Sequence, residues 1–178
     1  QGRYGEAETL YLQSLEISRE QLGEYHPQVA ISLKNLAQLY AQQGRYTEAE
    51  PIFLEALAIL RDRLGNRPLE VADNLSDLAG LYTGQGRYVE ALSLYLQVVE
   101  MRQEYLGDRH PDVVNSIHQL AIVYYRLAVA YGLLENYDEA EQLYRRVLEI
   151  RREQLGDRPP DVATSLNSLG LLYSNQGR

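Results

Sequence analysis

The tetrapeptide Gln-Gly-Arg-Tyr occurs three times, ending at Tyr4, Tyr46 and Tyr88, and each time Glu-Ala follows one residue later. A decayed copy, Leu134-Glu135-Asn136-Tyr137, precedes Glu139-Ala140, and the sequence closes on Gln176-Gly177-Arg178. The four tyrosines are spaced by 42, 42 and 49 residues. A fixed period of this length means copies of one supersecondary unit, each too small to bury its own apolar face. The copies must therefore stack, and chain length counts modules instead of bounding one closed core.

Each period reads as two helices. After Tyr46, the residues Ala49, Phe53, Ala56, Leu57 and Leu60 recur at steps of three and four, which is one face of a helix. The equivalent trios are Ala7, Tyr11, Ser14, then Ala91, Tyr95, Val98, then Ala140, Tyr144, Val147. The small residues let a neighbouring helix come close, and the ring fills the space beside them. These B helices stop at Leu-Gly pairs, at Gly23, Gly65, Gly107 and Gly156. Glycine is favoured there as the C′ residue because it enters the left-handed region without a Cβ penalty.

The other helix of each period, the A helix, opens with proline, at Pro27, Pro68, Pro111 and Pro160. Proline in the first turn lacks only an N–H that would have no partner. Glu70, Asp112 and Asp161 follow, where they oppose the positive helix end. The A-helix core stripe is Leu33, Leu36, Ala37, Tyr40, repeated as Leu75, Leu78, Ala79, Tyr82 and as Leu166, Leu169, Gly170, Tyr173. The expected helices are 4–22, 27–42, 46–64, 69–84, 88–106, 111–134, 137–155 and 160–175. Links this short make consecutive helices antiparallel neighbours. No strand pattern interrupts them, so the expected fold class is all-α, an α-solenoid.

The 49-residue spacing places seven extra residues inside the helix at 111–134. Leu120-Ala121-Ile122-Val123-Tyr124-Tyr125-Arg126 is echoed by Leu127-Ala128-Val129-Ala130-Tyr131-Gly132-Leu133, with Leu, Ala and Tyr at matching places. Seven residues at about 100° each fall about 20° short of two full turns. The insertion is therefore expected to lengthen one helix by roughly 10 Å with its faces nearly in phase, a local bulge that absorbs the extra residues being the alternative. Ile117, Leu120, Ala121, Tyr124, Leu127, Ala128 and Tyr131 are expected to form one stripe, and the following helices to be stepped along the stack.

Composition narrows the function classes. The formal net charge of −8 argues against a general nucleic-acid binder, which needs a basic face. With no cysteine there is neither a disulfide nor a thiolate metal site. The apolar run at 120–134 is broken by Arg126 and falls short of the about 20 residues of a membrane span. The polar start leads us to expect no signal peptide. Fifteen tyrosines against one phenylalanine suit helices with wet rims, because Tyr buries its ring and keeps its hydroxyl bonded.

Leucine, leucine, Ala/Gly, tyrosine, glycine, tyrosine, alanine, aromatic and alanine at these spacings resemble the tetratricopeptide repeat, whose basic unit is about 34 residues. The 42-residue version, with His-Pro-Asp-Val opening the A helix and Leu-Gly closing the B helix, resembles the repeats of kinesin light chain and its bacterial relatives. The resemblance covers the whole chain. It departs at Asn136, where the turn glycine is missing, at Ser14, Val98 and Val147, where alanine is usual, and at the 49-residue spacing. It implies one array over 1–178, a right-handed superhelix of antiparallel helix pairs. The array would hold an orphan B helix at 4–22, repeats at 27–64, 69–106 and 111–155, and an orphan A helix at 160–175, as in a fragment of a longer array. It also implies a cytoplasmic interaction scaffold without enzymatic activity.

In that family the A helices line a concave surface that binds peptides. By resemblance the groove residues are Lys34, Asn35, Gln38 and Gln42, then Asp73, Ser76 and Asp77, then His118, Ile122 and Tyr125, then Asn167 and Leu171. Asn74 is expected to contribute with them. The chaperone-binding members of the superfamily clamp a carboxylate with paired Lys/Arg and Asn on successive A helices. Lys34 and Asn35 fit that pattern, but Ser76 and Asp77 break it. The face at 115–132 is more apolar than its counterparts, which marks either a contact site or a surface covered from within.

No active-site pattern emerges. His26 and His110 share a repeat phase before proline and read as capping or loop residues. The pairs Glu48/Glu50 and Glu139/Glu141 read as a solvated face. Arg145, Arg146, Arg151 and Arg152 have Glu141, Glu149 and Glu153 within pairing distance along the helix. No metal, cofactor, nucleic acid or membrane is expected. The expected partner is a protein or peptide, with a homotypic head-to-tail contact through the terminal helices as the alternative.

Overall fold

The computed structural model describes residues 3–62, 68–108, 110–133, 137–155 and 160–175. They form eight α-helices: α1 (Tyr4–Leu22), α2 (Pro27–Gln42), α3 (Tyr46–Asp62), α4 (Pro68–Gly84), α5 (Tyr88–Leu106), α6 (Pro111–Leu133), α7 (Tyr137–Leu155) and α8 (Pro160–Asn175). No strand occurs among the described residues. The sequence expectations at Leu64, Gly65, Leu134–Asn136 and Gly156 lie outside them. Helix α4 begins on its proline, one residue earlier than the spacing predicts.

The chain divides into two compact units, Gln1–Gln85 with α1 to α4 and Gly86–Arg178 with α5 to α8. Within each unit every helix packs on the next in sequence. Consecutive helices are antiparallel, since Tyr40 near the end of α2 donates its hydroxyl proton to Glu8 near the start of α1 at 2.9 Å. The same bond joins Tyr82 to Glu50 at 3.0 Å and Tyr173 to Glu141 at 2.9 Å. This corrects the solvated-face reading for Glu50 and Glu141, while Glu48 is exposed as expected and the Glu139 side chain lies outside the described residues. Glu50 and Glu141 are half-buried acceptors that tie the B helix to the A helix after it. The position has no carboxylate in α5, where Leu92 stands.

The local signals act through identifiable bonds. The Gln-Gly-Arg turn after α2 is a Schellman motif: Arg45 N–H reaches the Tyr40 carbonyl at 2.9 Å, and Gly44 N–H reaches Ala41 at 3.0 Å. Gly44 has φ +74, which an L side chain adopts only with strain. Arg45 then lies 4.0 Å from the Tyr40 ring centroid and pairs with Glu48 at 2.7 Å and Glu8 at 3.0 Å. These contacts hold the Glu8 carboxyl below the usual carboxylate range, Arg45 first and the Tyr40 hydroxyl second. Arg87 pairs with Glu90 in the same way at the start of α5. The glycines closing α1 and α5 differ from expectation. Gly23 (φ 85, ψ 158) and Gly107 (φ 80, ψ 157) are extended at positive φ, not in the left-handed helical region, so they swing the chain out of the helix toward the next proline. His26 and His110 then cap α2 and α6, each Nδ1 accepting a backbone N–H, from Gln28 at 3.1 Å and from Asp112 at 3.2 Å.

The core follows the small-aromatic-small trios. Ala49, Phe53 and Ala56 are 0 to 1% exposed, and the trios of α5 and α7 are buried too. The α1 trio differs: Ala7 and Tyr11 are half-buried and Ser14 is exposed. Val29, Val71, Val113 and Val162, one turn before the expected A-helix stripe, are also buried. Leu166 of the expected α8 stripe is instead 46% exposed, because α8 buries only the edge that meets α7, at Val162, Leu169 and Leu172.

A polar position recurs inside the A helices. Ser32, Asn74, Ser116 and Ser165 share one repeat phase and are at most 3% exposed. Ser116 donates to the Asp112 carbonyl at 2.7 Å and accepts from Arg102 at 2.7 Å. Asn74, expected in the groove, is fully buried, and neither atom of its amide has a hydrogen-bond partner. It faces the helix packing, not a ligand surface.

Helix α6 runs unbroken through the seven extra residues. It is buried at Ile117, then at Leu120, Ala121 and Val123 of the first heptad, and in the second at Ala128 alone. Tyr124, Leu127 and Tyr131 of the expected stripe are half-buried. Ala128 joins Ala140, Tyr144 and Leu148 of α7 and Leu169 and Leu172 of α8 in one apolar cluster. The second heptad is thus the surface on which α7 and α8 pack. No helix among the described residues is long and apolar enough to cross a membrane.

Candidate functional site: two clefts at one repeat position

In the first unit, α2 and α4 enclose a cleft of about 390 Å³ with α3 as its floor. Gln38 and Gln42 line it from α2, Asp77 and Gly80 from α4, and Tyr46 and Phe53 from α3. Gln38 Nε2 donates to Asp77 Oδ2 at 2.7 Å, so the two walls are tied by a charge-assisted bond. The surface offered is mixed, with the amides of Gln38 and Gln42 and the Asp77 carboxylate beside Ala41, Phe53 and Leu81, and Gln42 is exposed at its edge.

In the second unit, α6 and α8 enclose a cleft of about 280 Å³ over α7. Val129, Gly132 and Leu133 line it from α6, Tyr144 from α7, and Ser168, Leu171 and Asn175 from α8. Val129 stands 91 residues after Gln38, Leu133 after Gln42, Tyr144 after Phe53, Ser168 after Asp77 and Leu171 after Gly80, one period of 42 plus one of 49. The two clefts are therefore the same structural position. In the second, the inserted heptad supplies the α6 wall and makes it apolar. Tyr125 adds an edge-on contact to Tyr144, ring centroids 5.7 Å apart. Burial pushes the Tyr144 hydroxyl above its ordinary pKa, which keeps it neutral.

The lengthened α6 also runs past the first turn of α5. Two gaps open there. One of about 330 Å³ lies between residues 86–90 and Leu127, Ala130 and Tyr131. The other, of about 400 Å³, is lined by Tyr88, Ile122, Tyr125, Arg126 and Val129.

Of the residues expected in the groove, the α2–α4 cleft brings together Gln38, Gln42 and Asp77. Lys34, Asn35 and Ser76 are half-buried and Asp73 is exposed, and none of these four lines it. Tyr125 and Leu171 meet at the α6–α8 cleft, whereas Ile122 turns to the gap beside Tyr88. His118 and Asn167 are exposed and line neither. Internal cover and open surface share the apolar face at 115–132, since Tyr125 and Val129 pack on the α7–α8 cluster and still border open space. On α7, Arg145 pairs with Glu141 at 2.6 Å and Arg146 with Glu149 at 3.0 Å, the intrahelical pairing that the spacing suggests. Among the described residues no group of three His, Asp or Glu side chains is arranged to hold a metal ion. Val129 lies on the apolar face at 115–132 singled out from the sequence, whereas Leu133 is not among the expected residues. The signal that finds them is the 49-residue spacing, applied as a change of register.

The Tetratricopeptide repeat family matches residues 1–62, 70–128 and 123–178. The chain belongs to this family, whose repeats serve generally as protein–protein interaction scaffolds. Among solved structures it is similar to the nearly identical TPR-like repeats of a Podosopora anserina kinesin light chain-type protein, at 27% identity. That match has a TM-score of 0.69 and covers 99% of this chain and 80% of the other. A point variant of the same protein matches with a TM-score of 0.68 over the same shares. BtubC (BKLC) from P. vanneervenii shares the fold at 22% identity and a TM-score of 0.56, over 99% of this chain and 68% of that one. No curated protein sequence matches.

Proposed function

We propose that the chain binds a peptide or protein segment in the groove lined by its A helices and does no chemistry of its own. The observation that supports this most is the recurrence of an open cleft at one repeat position in both units, each walled by two A helices and floored by a B-helix ring. The exposed amide of Gln42 suits hydrogen bonding to an extended backbone. A photo-crosslinking residue placed at Gln42 or at Asn175 should capture peptides selected on the chain from a random library. The same residue at Leu54, on an exposed B-helix face, should not. Equal labelling at all three positions would sink the groove reading.

A second reading rests on α1. Ile17 is 60% exposed and Leu10 64%, whereas Ile59, one period after Ile17, is 4% exposed. An A helix of a second copy, α8, would cover that face head-to-tail and extend the array, because such a contact does not close on itself. Light scattering across concentration decides it: a strictly monomeric profile at the highest concentration rules out self-assembly.

A further inference from the structure

The two clefts occupy one repeat position but differ in chemistry. Where the α2–α4 cleft carries Gln38, Gln42 and Asp77, the α6–α8 cleft carries Val129, Leu133 and Ser168, and Leu171 replaces Gly80. Among the described residues no charged side chain lines the second cleft. A carboxylate or ammonium seated in it would lose part of its hydration against apolar walls and meet no counter-charge among the described residues. An apolar side chain loses nothing comparable and covers Leu171 and Leu133, which are 65% and 81% exposed. The volume of about 280 Å³ lies below the ~300–1,000 Å³ of whole small-molecule sites, so it suits one bulky side chain instead of an entire ligand.

From this contrast we infer that the α6–α8 cleft is an anchor pocket for a single uncharged apolar side chain, of the leucine, isoleucine or phenylalanine kind, on a partner peptide. The partner is of neutral or basic character around that anchor, since the chain carries a net charge of −8 and repels acidic segments at long range. The Ser168 hydroxyl is committed to the Thr164 carbonyl at 3.0 Å, so the α8 wall leaves Asn175, at the rim, to bond the peptide backbone. The inserted heptad is then a specificity device: it exchanges the wall of one groove position and leaves the floor in place. The inference deepens the groove reading above and rests on it.

The test uses the whole 178-residue chain and a phage-displayed random-peptide library as probe. Selected peptides should share one bulky apolar position, and replacing it with Asp should abolish binding. The double variant Val129→Gln/Leu133→Gln installs the first unit's residues on α6, and Leu171→Glu places a charge in the pocket. Each should weaken the selected peptides by about tenfold or more, the loss expected when a side chain of this size is no longer covered. Both substitutions fall on half-buried or exposed sites, and unchanged helicity by circular dichroism verifies the fold. Gln38→Ala/Gln42→Ala should change the affinity of these peptides less than about twofold. If the peptides respond to Gln38→Ala/Gln42→Ala and ignore Leu171→Glu, the groove reading stands and the anchor pocket falls. If acidic peptides dominate the selection, the anchor pocket falls as well. Should no peptide be enriched, or only peptides insensitive to both pairs, the groove reading and the inference fall together.

Discussion

Helices α2 and α6 hold the same place in their repeats and are covered very differently. Buried residues run along α2 from Val29 to Tyr40, whereas those of α6 thin out after Val123, with Ala128 alone beyond it. Helix α2 meets α1 and α3 with one stripe in 16 residues. Helix α6 has 23 residues and divides the work: its first heptad carries most of the burial, and its second receives α7 and α8. A helix this long, meeting α7 and α8 with its second heptad and Tyr125 of its first, has surface left over. That surplus is what borders the α6–α8 cleft and the gaps beside Tyr88.

The comparison is open to attack at several strengths. The strongest test removes the ring under each cleft. Phe53→Ala should cost roughly 3–5 kcal/mol in urea unfolding, and Tyr144→Ala a similar amount if the α6–α8 cluster is a packed core of equal standing. A loss below about 1 kcal/mol for Tyr144→Ala would mean that α7 and α8 are not firmly seated on the second heptad.

Next in size is overpacking. Ala37→Leu, Ala121→Leu and Ala128→Leu each force a larger side chain into a site at most 2% exposed, and each should cost about 1–3 kcal/mol. Division of labour predicts that Ala121→Leu and Ala128→Leu act additively, as separate interfaces do. A neutral Ala128→Leu would break the comparison outright.

A smaller effect concerns the buried polar position. Asn74 strands its amide where Ser116 satisfies its hydroxyl, so Asn74→Ser should stabilise the first unit by about 1 kcal/mol. The reverse exchange, Ser116→Asn, removes the hydroxyl that Arg102 reaches alongside the Asp112 carbonyl and should destabilise the second. Thermal unfolding of both variants checks the pair.

The smallest expected effect is in acid. The Glu8 carboxyl, held low chiefly by Arg45 and then by Tyr40, has a folded pKa below its unfolded one. Its contribution is therefore complete above the unfolded value and is lost as pH falls through the folded value. Unfolding midpoints should drop at the acid end, and Glu8→Gln should flatten that limb. The α5–α6 contact, with Leu92 at the matching place, contributes no such term. An acid limb unchanged in Glu8→Gln would show that this network is solvent-screened to irrelevance.

Helix limits were legible because each is set by residues that act locally. Proline opens α2, α4, α6 and α8, and a glycine at positive φ follows α1, α2 and α5. The trio phases were legible too, since burial follows helical period. What stayed hidden depends on which neighbour a face meets. Leu166 keeps the stripe phase yet is exposed, because α8 turns its other edge to α7. Glu50 looks like any exposed carboxylate until Tyr82 is seen to reach it. Groove lining was the least legible: Lys34 and His118 share a face with Gln38 and Ile122 but line neither cleft, and the insertion hands the α6 wall to residues seven places further on.

The unbroken course of α6 has a genetic meaning. Copying seven codons in place, Leu-Ala-x-x-Tyr after Leu-Ala-x-x-Tyr, leaves every older residue on its old side of the helix. A duplication of eight or nine would turn the stripe by about a quarter turn or more and expose it. One of eleven, like one of seven, lands within about 20° of whole turns. Repeat arrays of this kind can therefore accept new coding sequence in only a few sizes, and each accepted copy arrives as unassigned surface that selection can shape.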